Sequence, residues 1–213
     1  MEKNSSKNDI VITGLRKIYN NKIIFKNTNY IINEHEFLLI TGESGVGKTT
    51  LLNMIAGLEK PDSGSILMGG KPIKPCETGY VFQGFYLDNS LDISKNIELP
   101  GIFCGAKKNE RLKRLDILSR IFGITDILDN KPNEISGGQA ERVCIARAIF
   151  NNPKIILADE PTNNLDRANA ERVLKLLKIL WEKTELTVVI SSHDDLAKSY
   201  ATKIAIIKGG EIL

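Results

Sequence analysis

The 213-residue chain predicts an α/β fold with a β-rich start and an inserted helical stretch. Three observations carry this. The runs Phe37-Leu38-Leu39-Ile40 and Ile155-Ile156-Leu157-Ala158 are continuously apolar, as expected of strands buried on both faces of a parallel sheet. Short β-type segments crowd into residues 9–33. From about residue 92 to residue 130 the apolar residues instead recur at helical spacing, before a second strand-helix block begins.

Taken in order, Ile10-Val11-Ile12, Lys22-Ile23-Ile24-Phe25 and Tyr30-Ile31-Ile32 read as β segments, with turn chemistry at Asn20-Asn21 and at Asn27. Phe37-Leu38-Leu39-Ile40 is a buried strand, and a helix follows over residues 48–57. Pro61-Asp62-Ser63-Gly64 is a turn, and residues 65–68 and 79–82 are strands. Leu112, Leu115, Ile117, Leu118, Ile121 and Phe122 define the apolar face of an inserted helix. Residues 155–158 form a strand. Val173, Leu176, Leu177, Leu180 and Trp181 then mark one helix face, and residues 186–190 and 204–207 are further strands. One core (with the β lobe) over residues 9–83 and 137–213 and a helical lobe over residues 84–136 is the expected organisation.

Composition is that of a globular domain, 42% hydrophobic and 26% charged. A net charge of +3 is too small to argue for nucleic acid or a membrane surface, so no nucleic-acid partner is expected. The basic block from Lys107 to Arg114 reads as a solvated helix face. No stretch approaches the roughly 18–20 apolar residues a membrane span needs, and residues 1–8 lack the apolar centre of a signal peptide. Cys76, Cys104 and Cys144 are odd in number and show no metal spacing, so they are expected as reduced thiols. His35 and His193 are the only histidines, which argues against a histidine-built metal centre.

The residues Gly42-Glu43-Ser44-Gly45-Val46-Gly47-Lys48-Thr49, followed by Thr50, match G-x-x-x-x-G-K-[ST] in full, between a buried strand and a helix. Glycines let backbone amides converge on phosphate oxygens, and a helix N-terminus adds favourable charge. Lys48 is expected on the β- and γ-phosphates and the Thr49 hydroxyl on Mg²⁺. Asp159-Glu160 ends an apolar strand. Asp159 suits the Mg²⁺ shell and Glu160 a general base that orients the attacking water. The plainer alternative for this pair is a cap on the turn at Pro161-Thr162.

Ser136-Gly137-Gly138-Gln139 has two readings. Ser136 and Gln139 fit a capping box, S-x-x-Q, at the start of a helix over residues 137–150. Two consecutive glycines argue for more, since each weakens a helix by ~1 kcal/mol relative to alanine. Bare backbone at a helix start suits close approach by a γ-phosphate. One copy of the chain is unlikely to bring this run to its own phosphate loop, which implies a dimer with ATP between the partners.

In their order, residues 42–49, Gln83, residues 135–139, Asp159-Glu160, Asn164-Leu165-Asp166 and His193 resemble the ATP-binding-cassette (ABC) ATPases, over nearly the whole chain. Gly79-Tyr80-Val81-Phe82-Gln83, Asn96-Ile97-Glu98-Leu99-Pro100, Lys131-Pro132-Asn133-Glu134 and Pro161-Thr162-Asn163-Asn164-Leu165-Asp166 resemble the subfamily that powers lipoprotein-releasing, macrolide and antimicrobial-peptide export. The resemblance implies a P-loop NTPase core of the ABC type with an N-terminal antiparallel β lobe and an inserted α-helical lobe. It implies Tyr19 stacking on adenine, Gln83 sensing Mg²⁺ and water, and His193 on the γ-phosphate. It also implies that residues 164–166 couple two active sites across a head-to-tail homodimer. A separate transmembrane permease would be the partner, holding the chain in the cytoplasm on the inner face of the cell membrane. A non-transport ABC ATPase is the main alternative, though this chain has neither a second cassette nor a coiled-coil insert. The chain departs from the family pattern at Ile135 (usually Leu), at His35 (usually Gly), at Cys144 (usually small) and in a short segment between Met68 and Gly79.

Overall fold

The computed structural model describes residues 8–82, 84, 86–163 and 165–213; Gln83 and Asn164 lie outside them. Strands β1 (Ile10–Tyr19) and β2 (Lys22–Ile32) form a long antiparallel hairpin. Its two-residue turn is Asn20-Asn21, both at positive φ (45° and 65°), the geometry that matches strand twist and that asparagine tolerates. Asn27, expected in a turn, lies within β2 instead. Irregularities in the pairing between Ile12 and Ile18 bend the hairpin without breaking it, which is why short segments in the sequence become two long strands.

Strand β3 (Phe37–Thr41) leaves this hairpin, and helix α1 (Lys48–Ile55) follows it. Strands β4 (Ser63–Met68) and β5 (Lys71–Pro72) return to give a sheet in the order β2-β1-β4-β5. The chain then runs through β6 (Thr78–Val81), α2 (Ile93–Phe103), α3 (Lys108–Phe122), α4 (Gly137–Ala148), β7 (Ile155–Asp159), α5 (Arg167–Lys183), β8 (Thr187–Ser191), α6 (Asp195–Lys198), β9 (Lys203–Lys208) and β10 (Glu211–Ile212). The second sheet has the order β10-β9-β3-β8-β7-β6. Its pairings from β9 to β6 are parallel, and β10 closes it as an antiparallel hairpin strand.

The unalternating strands divide their side chains between two cores. Phe37, Leu39, Ile156, Ala158, Val188 and Ile190 point to the face covered by α2–α5. Leu38, Ile40, Ile155, Leu157, Val189, Ala205 and Ile207 point to the face covered by α1 and the antiparallel sheet. Neighbouring residues therefore serve opposite cores, as the two-residue period of a strand requires. Each fully buried Leu or Ile side chain contributes about 1.5–3 kcal/mol. Gly210 ties the sheets together, its carbonyl accepting from Lys26 N at 3.1 Å and Thr28 Oγ1 at 3.2 Å.

Helix α3 departs from expectation. Leu115, Leu118 and Phe122 are buried, but Leu112, Ile117 and Ile121 are exposed, so the inward face is narrower than the apolar pattern suggests. Arginines complete it. Arg111 Nε meets Glu98 Oε2 at 3.0 Å, and Arg114 donates to the carbonyls of Ile149 (2.8 Å) and Phe150 (2.9 Å), beyond the end of α4. The block from Lys107 to Arg114 is therefore not simply a solvated face. Its arginines use fixed donor forks to satisfy open carbonyls and a carboxylate.

The thiol expectation fails for two of the three cysteines. Cys76 and Cys104 form a disulfide, with Cα atoms 5.9 Å apart and a separation of 28 positions in sequence. Their sequence spacing gave no cue, because docking of the α2 C-terminus beside the turn before β6 brings them together. Asn151 Nδ2 anchors that contact, donating to Pro100 O at 3.0 Å. Cys144 is buried in α4, and burial pushes its thiol up to about 11. His35 has φ 54°, a left-handed backbone that costs a non-glycine residue ~1–2 kcal/mol. Its ring stacks on Trp181 (centroids 4.6 Å apart), and its backbone N–H donates to Thr187 Oγ1 at 3.0 Å. Stacking of ~0.5–1.5 kcal/mol and that hydrogen bond offset the backbone cost.

Candidate nucleotide site

Because β3, β6, β7 and β8 run parallel, their carboxyl ends share one edge of the sheet, where open α/β sheets collect ligands. From β3 springs the loop of residues 42–47, from β7 the residue Glu160, and from β8 the residues Ser192 and His193. A cleft of about 800 Å³ opens there. Of the predicted residues, Tyr19, Gly42, Glu43, Ser44, Gly45, Gly47, Lys48, Thr49, Thr50, Glu160 and His193 line it. Val46 instead packs on the core beneath, and Asp159 lies just below the floor, 7% exposed.

The loop's sequence is dictated by crowding. Gly47 has φ 116°, and a Cβ there would stand 2.4 Å from Ile24 Cγ2. No side chain caps the start of α1 and its first turn holds no acid, so the first backbone N–H groups are left for an anion. By contrast α2, α4 and α5 are capped by Asp92, Ser136 and Asp166.

Lys48 is buried. Its ammonium lies 3.1 Å from Gly42 O, 3.4 Å from Glu43 O and 3.4 Å from Glu160 Oε1. The other Glu160 oxygen is 3.1 Å from His193 Nδ1, so with Nδ1 as the donor Nε2 remains available to a second partner. Glu160 has φ 45°, a strained backbone for a side-chain-bearing residue. Ser191 pins it: both the carbonyl and the hydroxyl of Ser191 accept from Glu160 N at 3.0 Å. The same hydroxyl donates to Asp159 Oδ1 at 2.6 Å. Ser191, fully buried, thus holds the Asp159 carboxylate and the backbone of Glu160.

Among the described residues no cluster of three or more His, Cys, Asp or Glu could cage a metal. The donors expected to hold Mg²⁺ are the Thr49 hydroxyl, in the cleft, and the Asp159 carboxylate, whose Oδ1 is already held by Ser191. This set fits Mg²⁺, which takes one or two protein ligands and fills its octahedron with phosphates and water.

Ser136, Gly137, Gly138 and Gln139 are not part of this cleft. The capping box forms: Ser136 Oγ accepts from Gln139 N at 3.3 Å, and Gln139 Oε1 accepts from Ser136 N at 2.8 Å. Asp166 caps α5 by accepting from Asn169 N at 3.0 Å, and Leu165 packs against the core. Sequence reasoning did not single out Ser191, nor Ile24 and Asn163, which also line the cleft. Ser191 had one cue, a polar residue closing the apolar run Val188-Val189-Ile190. Ile24 had none, because its place in the cleft comes from tertiary packing.

The sequence profile of the ABC transporter family matches residues 25–163. An uncharacterised ABC transporter ATP-binding protein of Methanocaldococcus jannaschii, MJ1508, is 40% identical, covering 90% of each chain. The macrolide export ATP-binding/permease protein MacB 2 of Yersinia pestis is 38% identical over 89% of this chain, which spans only 30% of that longer protein. Among solved structures, the ATP-binding cassette MJ0796 in a dimeric, post-hydrolysis state bound to ADP and phosphate superposes with a TM-score of 0.80 at 36% identity, covering 95% of this chain and 96% of that one. With the uncapped phosphate loop and the paired carboxylates at the strand ends, these likenesses establish that the chain belongs to the ABC transporter family, as an ATP-binding and ATP-hydrolysing cassette.

Proposed function

We propose that two copies of this chain close head to tail around ATP and Mg²⁺, and that the closure drives a separate transmembrane permease, in the direction of export. The observation that carries the reading is at Gly137 and Gly138. A Cβ built on either meets nothing within 4 Å, and neither has positive φ. Neither crowding nor backbone conformation within the chain accounts for two glycines that weaken the helix by ~1 kcal/mol each. A γ-phosphate held by a second copy accounts for them.

In this reading the labour is divided among the residues of the cleft and those of the partner copy. Tyr19 supports the adenine, and the N–H groups at the start of α1 with Lys48 grip the phosphates. Glu160 orients and deprotonates the attacking water, with His193 on the γ-phosphate; Gln83, outside the described residues, takes its role of sensing Mg²⁺ and water from the family resemblance alone. Mg²⁺ held by Thr49 and Asp159 would neutralise charge on the transferring phosphoryl group. Ser136, Gly137, Gly138 and Gln139 of the partner copy complete the shell. ATP contacts both copies only in the closed pair and favours it by that difference; about 5.5 kcal/mol takes a pair from nearly all open to nearly all closed.

No helix among the described residues is long and apolar enough to cross a membrane. In this reading a separate permease supplies the path. The helical lobe of residues 84–136 passes the motion to it, which places the cassette on the inner face of the membrane. The MacB likeness supports export. The test is light scattering of the Glu160→Gln variant with ATP and Mg²⁺: the mass should double, and adding Gly137→Asp should return it to the monomer while nucleotide still binds. An undiminished ATP-dependent dimer with Gly137→Asp would overturn the scheme.

A further inference from the structure

The loop that follows α1 reaches back to the far end of β1. There Tyr19 is 43% exposed, its ring bordering the nucleotide cleft, and its hydroxyl donates to the carboxylate of Glu59. Glu59 Oε1 also takes the ammonium of Lys17 at 2.8 Å. Lys17 is buried, lies 5.0 Å from the centre of the Tyr19 ring, and donates to Lys60 O at 2.9 Å. Asp62 closes the set: its carboxylate is 3.6 Å from Lys17 and accepts from Ile18 N at 2.7 Å. A flexible edge aromatic would be free to rotate. This one is held by its hydroxyl, with a cation near its ring and the backbone beside it clamped.

We propose that Glu59 is a positioning residue for nucleotide binding, fixing the Tyr19 ring in the orientation that stacks on the base. The proposal rests on the reading of Tyr19 as the adenine support. Its physical content is registration. Glu59 lies just beyond the C-terminal end of α1, whose N-terminal end grips the phosphates. One rigid helix therefore spaces the base-holding ring from the phosphate-holding amides, and the cost of ordering the tyrosine is met before nucleotide arrives. The hydrogen bond to Glu59 raises the pKa of the Tyr19 phenol, as expected of a donor bound to a carboxylate, and burial adds to the rise. The same carboxylate raises the pKa of Lys17.

The experiment is isothermal titration of the full chain carrying Glu160→Gln, so that ATP persists, with ATP and with inorganic tripolyphosphate. Tripolyphosphate has the phosphates without the base. Glu59→Ala and Tyr19→Phe should each weaken ATP binding about three- to tenfold and leave tripolyphosphate within about twofold. The double variant should lose no more than either alone, since both remove the same contact. Tyr19→Phe removes only a hydroxyl, so the test holds even if Glu59→Ala fails to fold. A Glu59→Ala effect on both ligands alike, no effect on ATP, or multiplying losses in the double variant would each overturn the inference. Tyr19→Ala separates the two layers. If it costs ATP affinity while Tyr19→Phe and Glu59→Ala do not, only the positioning role fails; if it costs nothing, the adenine assignment fails with it.

Discussion

Replacing Glu160 with Gln removes a negative charge while preserving shape, and two opposite effects are expected. Glu160 lies 3.4 Å from Lys48, with side chains 14% and 9% exposed. At an effective dielectric of ~20 the gross attraction is about 5 kcal/mol. Exchange with water leaves a net of roughly 1.5–3 kcal/mol for such a charged contact. Nucleotide must draw Lys48 away from Glu160 and bring polyanionic phosphates towards its carboxylate. The neutral amide removes both obstacles, so ATP should bind between roughly tenfold and a hundredfold more tightly. Turnover should move the other way. An amide cannot take a proton from water, and loss of a general base costs about 10²- to 10⁴-fold in rate. Phosphate release at saturating ATP and Mg²⁺ measures the second effect, and titration with ATP the first. Turnover within about threefold of the parent would refute the role of Glu160 as base. Unchanged or weaker ATP affinity would refute competition between Glu160 and phosphate for Lys48.

Ser191→Ala should slow turnover by about tenfold or more and lower stability by ~1–3 kcal/mol, because its buried hydroxyl binds both Asp159 and the backbone of Glu160. Denaturant melts and phosphate release, read as a function of Mg²⁺ concentration, check it; normal values for both would exclude the orienting role. A pH effect follows from Asp92, the cap of α2. Desolvation opposes its charge, but hydrogen bonds from Lys95 and Ser94 outweigh that and hold its pKa at about 2. A depressed carboxylate gives stability that is present above about pH 4 and lost as the pH falls towards 2. Acid titration of helicity should therefore show a transition in that window that Asp92→Asn shifts or removes.

The place of the nucleotide cleft was more legible in the sequence than the architecture in detail. Residues 42–50, Asp159 and Glu160 form contiguous runs whose order is imposed by one strand end each, so the sequence alone places them. The cysteine bridge could not be read, because it depends on where α2 docks. The continuity of β2 was likewise hidden behind Asn27, which looks like a turn. The amphipathic pattern of α3 misled for a different reason: Arg111 and Arg114 bury their stems and bind backbone oxygens, so apolarity was a poor guide to direction. Ser191 illustrates the general limit. A hydroxyl at the end of an apolar strand carries little signal until its partners, the Asp159 carboxylate and the Glu160 backbone, are seen around it.

The Cys76–Cys104 bond makes a covalent ring of the chain from the turn before β6 to the tail of α2. The strand-to-helix connector at residues 82–92 lies inside that ring, so α2 cannot slide away from the sheet edge at its C-terminal end. Its other end, at Asp92, lies about 16 Å away along eleven residues, and there Ile93 and Ser94 donate to the carbonyls of Asn130 and Leu128. Helix α2 is thus tied twice, by a covalent bond to the turn before β6 and by hydrogen bonds to the segment leading to residues 136–139. With the bond reduced, the hydrogen bond from Asn151 to Pro100 remains at the first of these ties.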